Sequence, residues 1–185
     1  MAHTPIKVTK LEAARRQLAT AIELYFNDGD PVSIHTLAVA AHQLIHDINR
    51  KKKGPPLFLD AEFIKPEHKK EFLGILKRDA NFFKHADRGR TGQLDSIDFV
   101  PFGNEVFLSM AVLGLKHLGE KLNKHEVSFL IWETIQRPDL LTDAAMQLLK
   151  DSVPVEQINL IRKTSKKDFF NNFLQVWARN YGGSN

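Results

Sequence analysis

The chain has 185 residues, 43% of them hydrophobic and 26% charged, ordinary proportions for a soluble globular protein with one core. It has no cysteine, which excludes disulfides and thiolate chemistry and suits a reducing compartment. A formal charge of +4 permits an acidic partner such as RNA or DNA without requiring one, since solvated lysines on helix faces give the same count.

The start, Met-Ala-His-Thr-Pro, has no apolar run behind a basic head, and no stretch reaches membrane-spanning length. A cytoplasmic protein without membrane association is expected. From Thr9 to Phe26, apolar residues recur at Leu11, Ala14, Leu18, Ile22 and Tyr25, the spacing of a helix with one buried face. Asn27-Asp28-Gly29-Asp30-Pro31 ends it and supplies a first-turn proline to a second helix, Pro31 to Lys52. From Val32 to His46 this helix carries no formal charge, and Ala38, Ala40 and Ala41 allow neighbours to approach closely. Its predicted core face is Ile34, Leu37, Ala41, Leu44, Ile45 and Ile48. The cations Arg50 to Lys53 complement the helix dipole, and Gly54-Pro55-Pro56 stops the helix.

A third helix is expected from Pro66 to Ala86, with Phe72, Ile75, Leu76, Ala80 and Phe83 inward. A polar loop follows from Asp87 to Gln93, then a short extended piece from Leu94 to Val100. The second half reads as four helices: Asn104 to Leu118, Asn123 to Gln136, Pro138 to Lys150, and Val155 into a last helix from Ser165 to Tyr181. Ser165 and Asp168 have capping-box spacing, with Asp in place of Glu. The pattern predicts an all-α fold: one compact bundle of six to seven helices over residues 1–185, with 1–8 and 182–185 as flexible ends.

The stretch Arg78-Asp79-Ala80-Asn81-Phe82-Phe83-Lys84-His85 offers the best candidate chemistry. Seven residues are nearly two helical turns, so Arg78 and His85 point within about 20° of each other, with Asn81 and Glu71 on the same stripe. Arginine can clamp phosphate oxygens, and histidine can move a proton at neutral pH. The plain alternative pairs Arg78 with Glu71 on a wet face and leaves His85 at the helix C-terminus.

An arginine, a polar residue directly after it, and a histidine after six intervening residues resemble the signature of the HEPN superfamily. That resemblance implies a compact all-α bundle, metal-independent RNA cleavage in its active members, and a homodimer that brings two motifs together. It would make Arg78 the phosphate clamp, His85 the acid or base and Asp79 the orienting companion, beside Asn81. RNA or another nucleotide would then be the ligand. Asn-Phe-Phe-Lys-His-Ala-Asp, after a helix with Thr-Leu-Ala-Val-Ala-Ala-His-Gln-Leu, is also similar to a set of bacterial helical proteins. That second resemblance implies no activity, and a non-catalytic interaction or dimerisation module is the alternative reading.

His35, His42 and His46 share one stripe of the second helix, within about 40°. His42 and His46, four apart, could share a metal, and His46-Asp47 resembles the motif of HD-type metal phosphohydrolases, with His85 and Asp87 as the nearest further ligands. Histidines hydrogen-bonded between helices explain the same stripe, so no metal or other cofactor is assigned. Asp87 to Asp98 partly copies a calcium loop, through Thr91, Gly92, Leu94 and Asp95. Gly89 at its third position brings no ligand, and Arg88 and Arg90 repel a cation; a surface loop is expected. The aromatic residues at helical spacing, including Phe169, Phe170, Phe173 and Trp177, read as core or helix-packing surface rather than base-stacking platforms. There is no phosphate-cradling glycine loop, nucleophile elbow or zinc-finger spacing.

Overall fold

A computed structural model describes residues 4–57, 66–85, 96–140 and 143–181. It is all-α, with eight α-helices among the described residues: α1 Lys10–Phe26, α2 Pro31–Lys51, α3 Pro66–Lys84, α4 Phe102–His117, α5 Lys124–Gln136, α6 Asp143–Ser152, α7 Val155–Lys163 and α8 Lys166–Tyr181.

Local chemistry sets the helix starts. Thr9 and Glu12 form a reciprocal capping box: the Glu12 N–H donates to Thr9 Oγ1 at 3.2 Å, and the Thr9 N–H donates to Glu12 Oε2 at 2.7 Å. Asp30 caps α2 by accepting from the Ser33 N–H at 2.8 Å, with Pro31 in the first turn. The turn between α1 and α2 places Asp28 in the left-handed region, at φ 53°. Asn123 and Glu126 repeat the capping box at α5.

The main core lies where α1, α2 and α4 pack, closed by α5 and α8. Ala14, Ala21, Ala38, Ala41 and Ala111 are fully buried there, and Gly114 passes so close to α2 that a Cβ would stand 2.7 Å from Ile45 Cγ2. Small residues thus do bring these helices together. Phe26 stacks on Phe170 of α8 at 4.5 Å between ring centres, and meets Trp132 of α5 edge-on at 6.1 Å.

Several boundaries and faces differ from the sequence pattern. Pro138 opens a 3₁₀ turn, Pro138–Leu140, and α6 begins only at Asp143. The run from Val155 divides because Thr164 is extended and Ser165 caps a separate helix, its hydroxyl accepting from the Asp168 N–H at 3.1 Å. The Asp168 carboxylate accepts from that hydroxyl at 2.7 Å, so it completes the cap through the side chain. Residues 96–100 are irregular, and Leu94 and Asp95 lie outside the described residues.

On α2, Ile34, Ala41 and Ile45 are buried as expected, whereas Leu37, Leu44 and Ile48 are half-buried. His35, Ala38, Val39, His42 and Asn49 are buried too, because α2 is enclosed on more than one side. On α3, Ala80 is buried and Phe83 packs edge-on against Phe99 at 5.1 Å; the side chains of Phe72, Ile75 and Leu76 lie outside the described residues. So do residues 1–3 and 182–185, at the expected flexible ends. No helix among the described residues is long and apolar enough to cross a membrane.

Candidate functional site

Glu105 sits in the first turn of α4, where a carboxylate complements the helix dipole, and Glu133 sits in the last turn of α5. Packing of these helices against α1 brings both acids to one hydroxyl: Tyr25 Oη lies 3.3 Å from Glu105 Oε1 and 3.2 Å from Glu133 Oε1. A phenol has one hydrogen and can donate to only one of them. A proton on Glu133 resolves the conflict, since Glu133 then donates to the phenol oxygen while the phenol donates to Glu105.

The electrostatics favour that arrangement. Burial, and then the neighbouring Glu105 carboxylate, push Glu133 up from 4.5 to about 7. Burial, followed by the charges of Glu133 and Glu105, pushes the Tyr25 phenol upward, so it stays a neutral donor. Arg137, the C-cap of α5, stands at the rim: its Nη1 is 3.8 Å from Glu105 Oε2, its Nε is 3.5 Å from Asp139 Oδ1, and its guanidinium lies over the Phe102 ring at 5.4 Å.

Glu105, Glu133, Arg137 and Phe102 border a chamber of about 600 Å³ between α2, α4 and α5, within the size range of small-molecule sites. Val106, Met110 and Leu113 of α4, with Leu57, make its apolar wall, and His42 and His117 join the lining. His117 donates its Nδ1–H to the Leu113 carbonyl at 2.8 Å. Two acids, one guanidinium and two imidazoles on an otherwise apolar chamber form a binding surface with a few directional contacts.

The residues singled out from sequence lie elsewhere, with one exception. Arg78 is exposed; its Nε donates to Asp79 Oδ1 at 2.7 Å, and its Nη2 donates to the Asp98 carbonyl at 3.3 Å. Its ion pair is therefore with the adjacent Asp79 and not with Glu71, which is exposed. Asn81 is exposed, and its carbonyl accepts from the backbone N–H of half-buried His85, just beyond α3. The chamber includes none of these residues.

The histidine stripe divides into different roles. His35 reaches α4, where its Nδ1 meets Asn104 Oδ1 at 2.9 Å while Asn104 Nδ2 donates to the Pro31 carbonyl at 3.0 Å. The Asn104 oxygen is thus the acceptor and His35 Nδ1 carries the hydrogen. Burial lowers the His35 pKa, and Phe83, Phe99 and Phe107 surround its ring. His42 is the exception that lines the chamber. Its ring centre is 6.1 Å from that of His46, whose Nδ1 is 3.8 Å from Asp47 Oδ1, and Asp47 also takes Arg50 at 3.3 Å. Among the described residues, no three His, Asp or Glu side chains are grouped to hold a metal ion. Asp87 and the loop from 86 to 95 lie outside the described residues.

Sequence reasoning missed Glu105, Glu133 and Arg137, and took Tyr25 only as core. A faint signal existed: Glu133 is a lone charge within Ile131-Trp132-Glu133-Thr134-Ile135, with Arg137 one turn later. No spacing rule joins Glu133 to Glu105 or to Tyr25, because three separate helices supply them.

Comparison of the chain with protein-family models, curated proteins and solved structures finds no match.

Proposed function

We propose that this chain is a non-catalytic small-molecule-binding module whose ligand occupies the chamber between α2, α4 and α5. One observation carries the reading: Glu105 and Glu133, which line a mostly apolar cavity, converge on the one Tyr25 hydroxyl. Concave, apolar volume with a few convergent polar groups and a displaced carboxyl pKa is the usual physical form of a ligand site. The test is a ligand-observed NMR screen of small apolar fragments against the native chain and Ser109→Phe. Ser109 lines the chamber, so a phenyl ring there fills it. Fragments should bind the native chain and lose their signals with a Ser109→Phe protein that circular dichroism shows to be folded. Equal binding to both, or no binding to either, overturns the reading.

A second reading keeps an RNA-directed role for Arg78 and His85, with the homodimer that the HEPN resemblance implies. It is favoured by the exposure of the Arg78 side chain, 55% accessible to a phosphate that would compete with Asp79 for the guanidinium. Arg78→Ala and His85→Ala should each abolish cleavage of single-stranded RNA by the native chain. Unchanged RNA cleavage and binding in both variants rules it out.

A further inference from the structure

The chamber's charge balance narrows its ligand. Resting on the reading of the chamber as a ligand site, we propose that it takes an amphiphilic amine, with the ammonium seated between Glu105 and Glu133 and the apolar body along Val106, Met110 and Leu113.

The groups that face the two carboxyls set that balance. From α1 comes the Tyr25 phenol, a neutral donor with one hydrogen. From α5 comes Arg137, 3.8 Å from Glu105 and drawn outward by Asp139. On α2 and the end of α4 the chamber has His42 and His117, and His117 is turned to the Leu113 carbonyl. Lys166 of α8 lies over the Tyr25 ring, 4.6 Å from its centre, and is paired with Asp28 at 2.7 Å. Counting the guanidinium as the one permanent cation, the two carboxyl groups leave the site one positive charge short.

Without ligand, a proton supplies that charge, which agrees with the elevated Glu133 value. An ammonium supplies it better. It offers three N–H donors where the phenol offers one, and it can serve both carboxylates together. The apolar wall then takes the rest of the molecule out of water. A carboxylate ligand would face two acids at the same end, and a neutral alcohol would leave the charge deficit in place. Binding of an amine to the protonated site also displaces the Glu133 proton into solvent, so proton release accompanies binding: R–NH₃⁺ enters, and H⁺ leaves.

Isothermal titration of the native chain with 2-phenylethylamine, 2-phenylethanol and 3-phenylpropionate tests this. At pH 8 the amine should bind about tenfold more tightly than the alcohol, or better, and the propionate least. Titration at pH 6 in buffers of different ionisation enthalpy should show release of about one proton per amine, falling toward none at pH 8.5. Glu133→Gln, an isosteric change, should bring the amine-to-alcohol ratio close to one and remove the proton release, and Glu105→Gln should also lower the ratio. If the alcohol binds as well as the amine and Ser109→Phe abolishes both, the chamber is a ligand site and the amine assignment is wrong. Tighter binding of the propionate also overturns the assignment, in favour of Arg137 as the recognising group. If none of the three probes binds, the amine assignment fails; whether the chamber is a ligand site at all is decided separately by the fragment screen.

Discussion

The Tyr25 hydroxyl on α1 stands 3.2 Å from Glu133 Oε1 on α5, a carboxyl group that burial and the Glu105 charge raise to about 7 although this hydrogen bond opposes the rise. The same hydroxyl lies 3.3 Å from Glu105. A half-buried glutamate in this position resists ionisation at its ordinary pH, because ionisation would put two negative charges around one phenol.

Stability should therefore depend on the Glu133 proton. Glu133 titrates at about 7 in the folded chain against an ordinary 4.5, so between those values the folded state holds a proton that the unfolded state has lost. The Glu133 contribution is complete below about pH 4.5 and disappears as pH rises through about 7. The urea midpoint of the native chain should fall between pH 5 and pH 8 relative to that of Glu133→Gln, which cannot titrate. Parallel curves for the two proteins would show that Glu133 ionises normally.

His35 should act with the opposite sign. Burial lowers its pKa below 6.5, so the folded state resists a proton that the unfolded state accepts. Its contribution is full above about pH 6.5 and is lost as pH falls toward the depressed folded value. His35→Gln keeps a donor for Asn104 and cannot titrate, so its melting temperature should decline less than the native one between pH 6.5 and pH 5. An NMR titration that places the His35 ring at or above 6.5 would contradict this prediction.

The fold was largely legible because α1, α2 and α5 declare themselves locally. Thr9 with Glu12, Asp30 with Pro31 and Asn123 with Glu126 are start signals contained within four residues, and apolar spacing supplies the faces. The division at Thr164 was less visible, since only one extended residue and the Ser165 hydroxyl separate α7 from α8. The chamber was not legible. Tyr25, Glu105 and Glu133 lie 80 and 108 positions apart, measured from Tyr25, and nothing local distinguishes a buried glutamate from an exposed one at helical spacing. Arg78 and His85 stood out because a local spacing rule exists for them. Such rules favour contacts along one helix over those between helices.

The close crossing of α2 and α4 should be sensitive to a single methyl group. A Cβ on Gly114 would come within 2.7 Å of Ile45 Cγ2, and Ile45 is fully buried, with no room to withdraw. Gly114→Ala should cost about 1–3 kcal/mol by overpacking, beyond any gain from helix propensity. Ile45→Ala should cost about 2–5 kcal/mol alone. Because each change relieves the other's defect, the double variant should lose less than the sum by urea denaturation. An additive loss would mean that the helices shift apart to admit the methyl group.

Arg15 and Glu126 should be strongly coupled. Arg15 Nε and Nη2 donate to the two Glu126 oxygens at 3.0 and 2.7 Å, and the Glu126 side chain is wholly buried. The same carboxylate accepts from the Asn123 N–H at 2.7 Å and from Asn123 Nδ2 at 2.9 Å, so it caps α5 while tying that helix to α1. Arg15→Ala leaves a buried carboxylate with its countercharge gone and should cost about 3–5 kcal/mol in urea denaturation. Glu126→Gln keeps an acceptor for the Asn123 N–H and removes the charge. Adding it to Arg15→Ala should therefore restore part of the loss, with a coupling of about 1–3 kcal/mol across the double-mutant cycle. The alternative outcome is equally clear: if Arg15→Ala costs under about 1 kcal/mol, the range of an exposed ion pair, the Glu126 charge is carried by Asn123 and the α5 N-terminus alone.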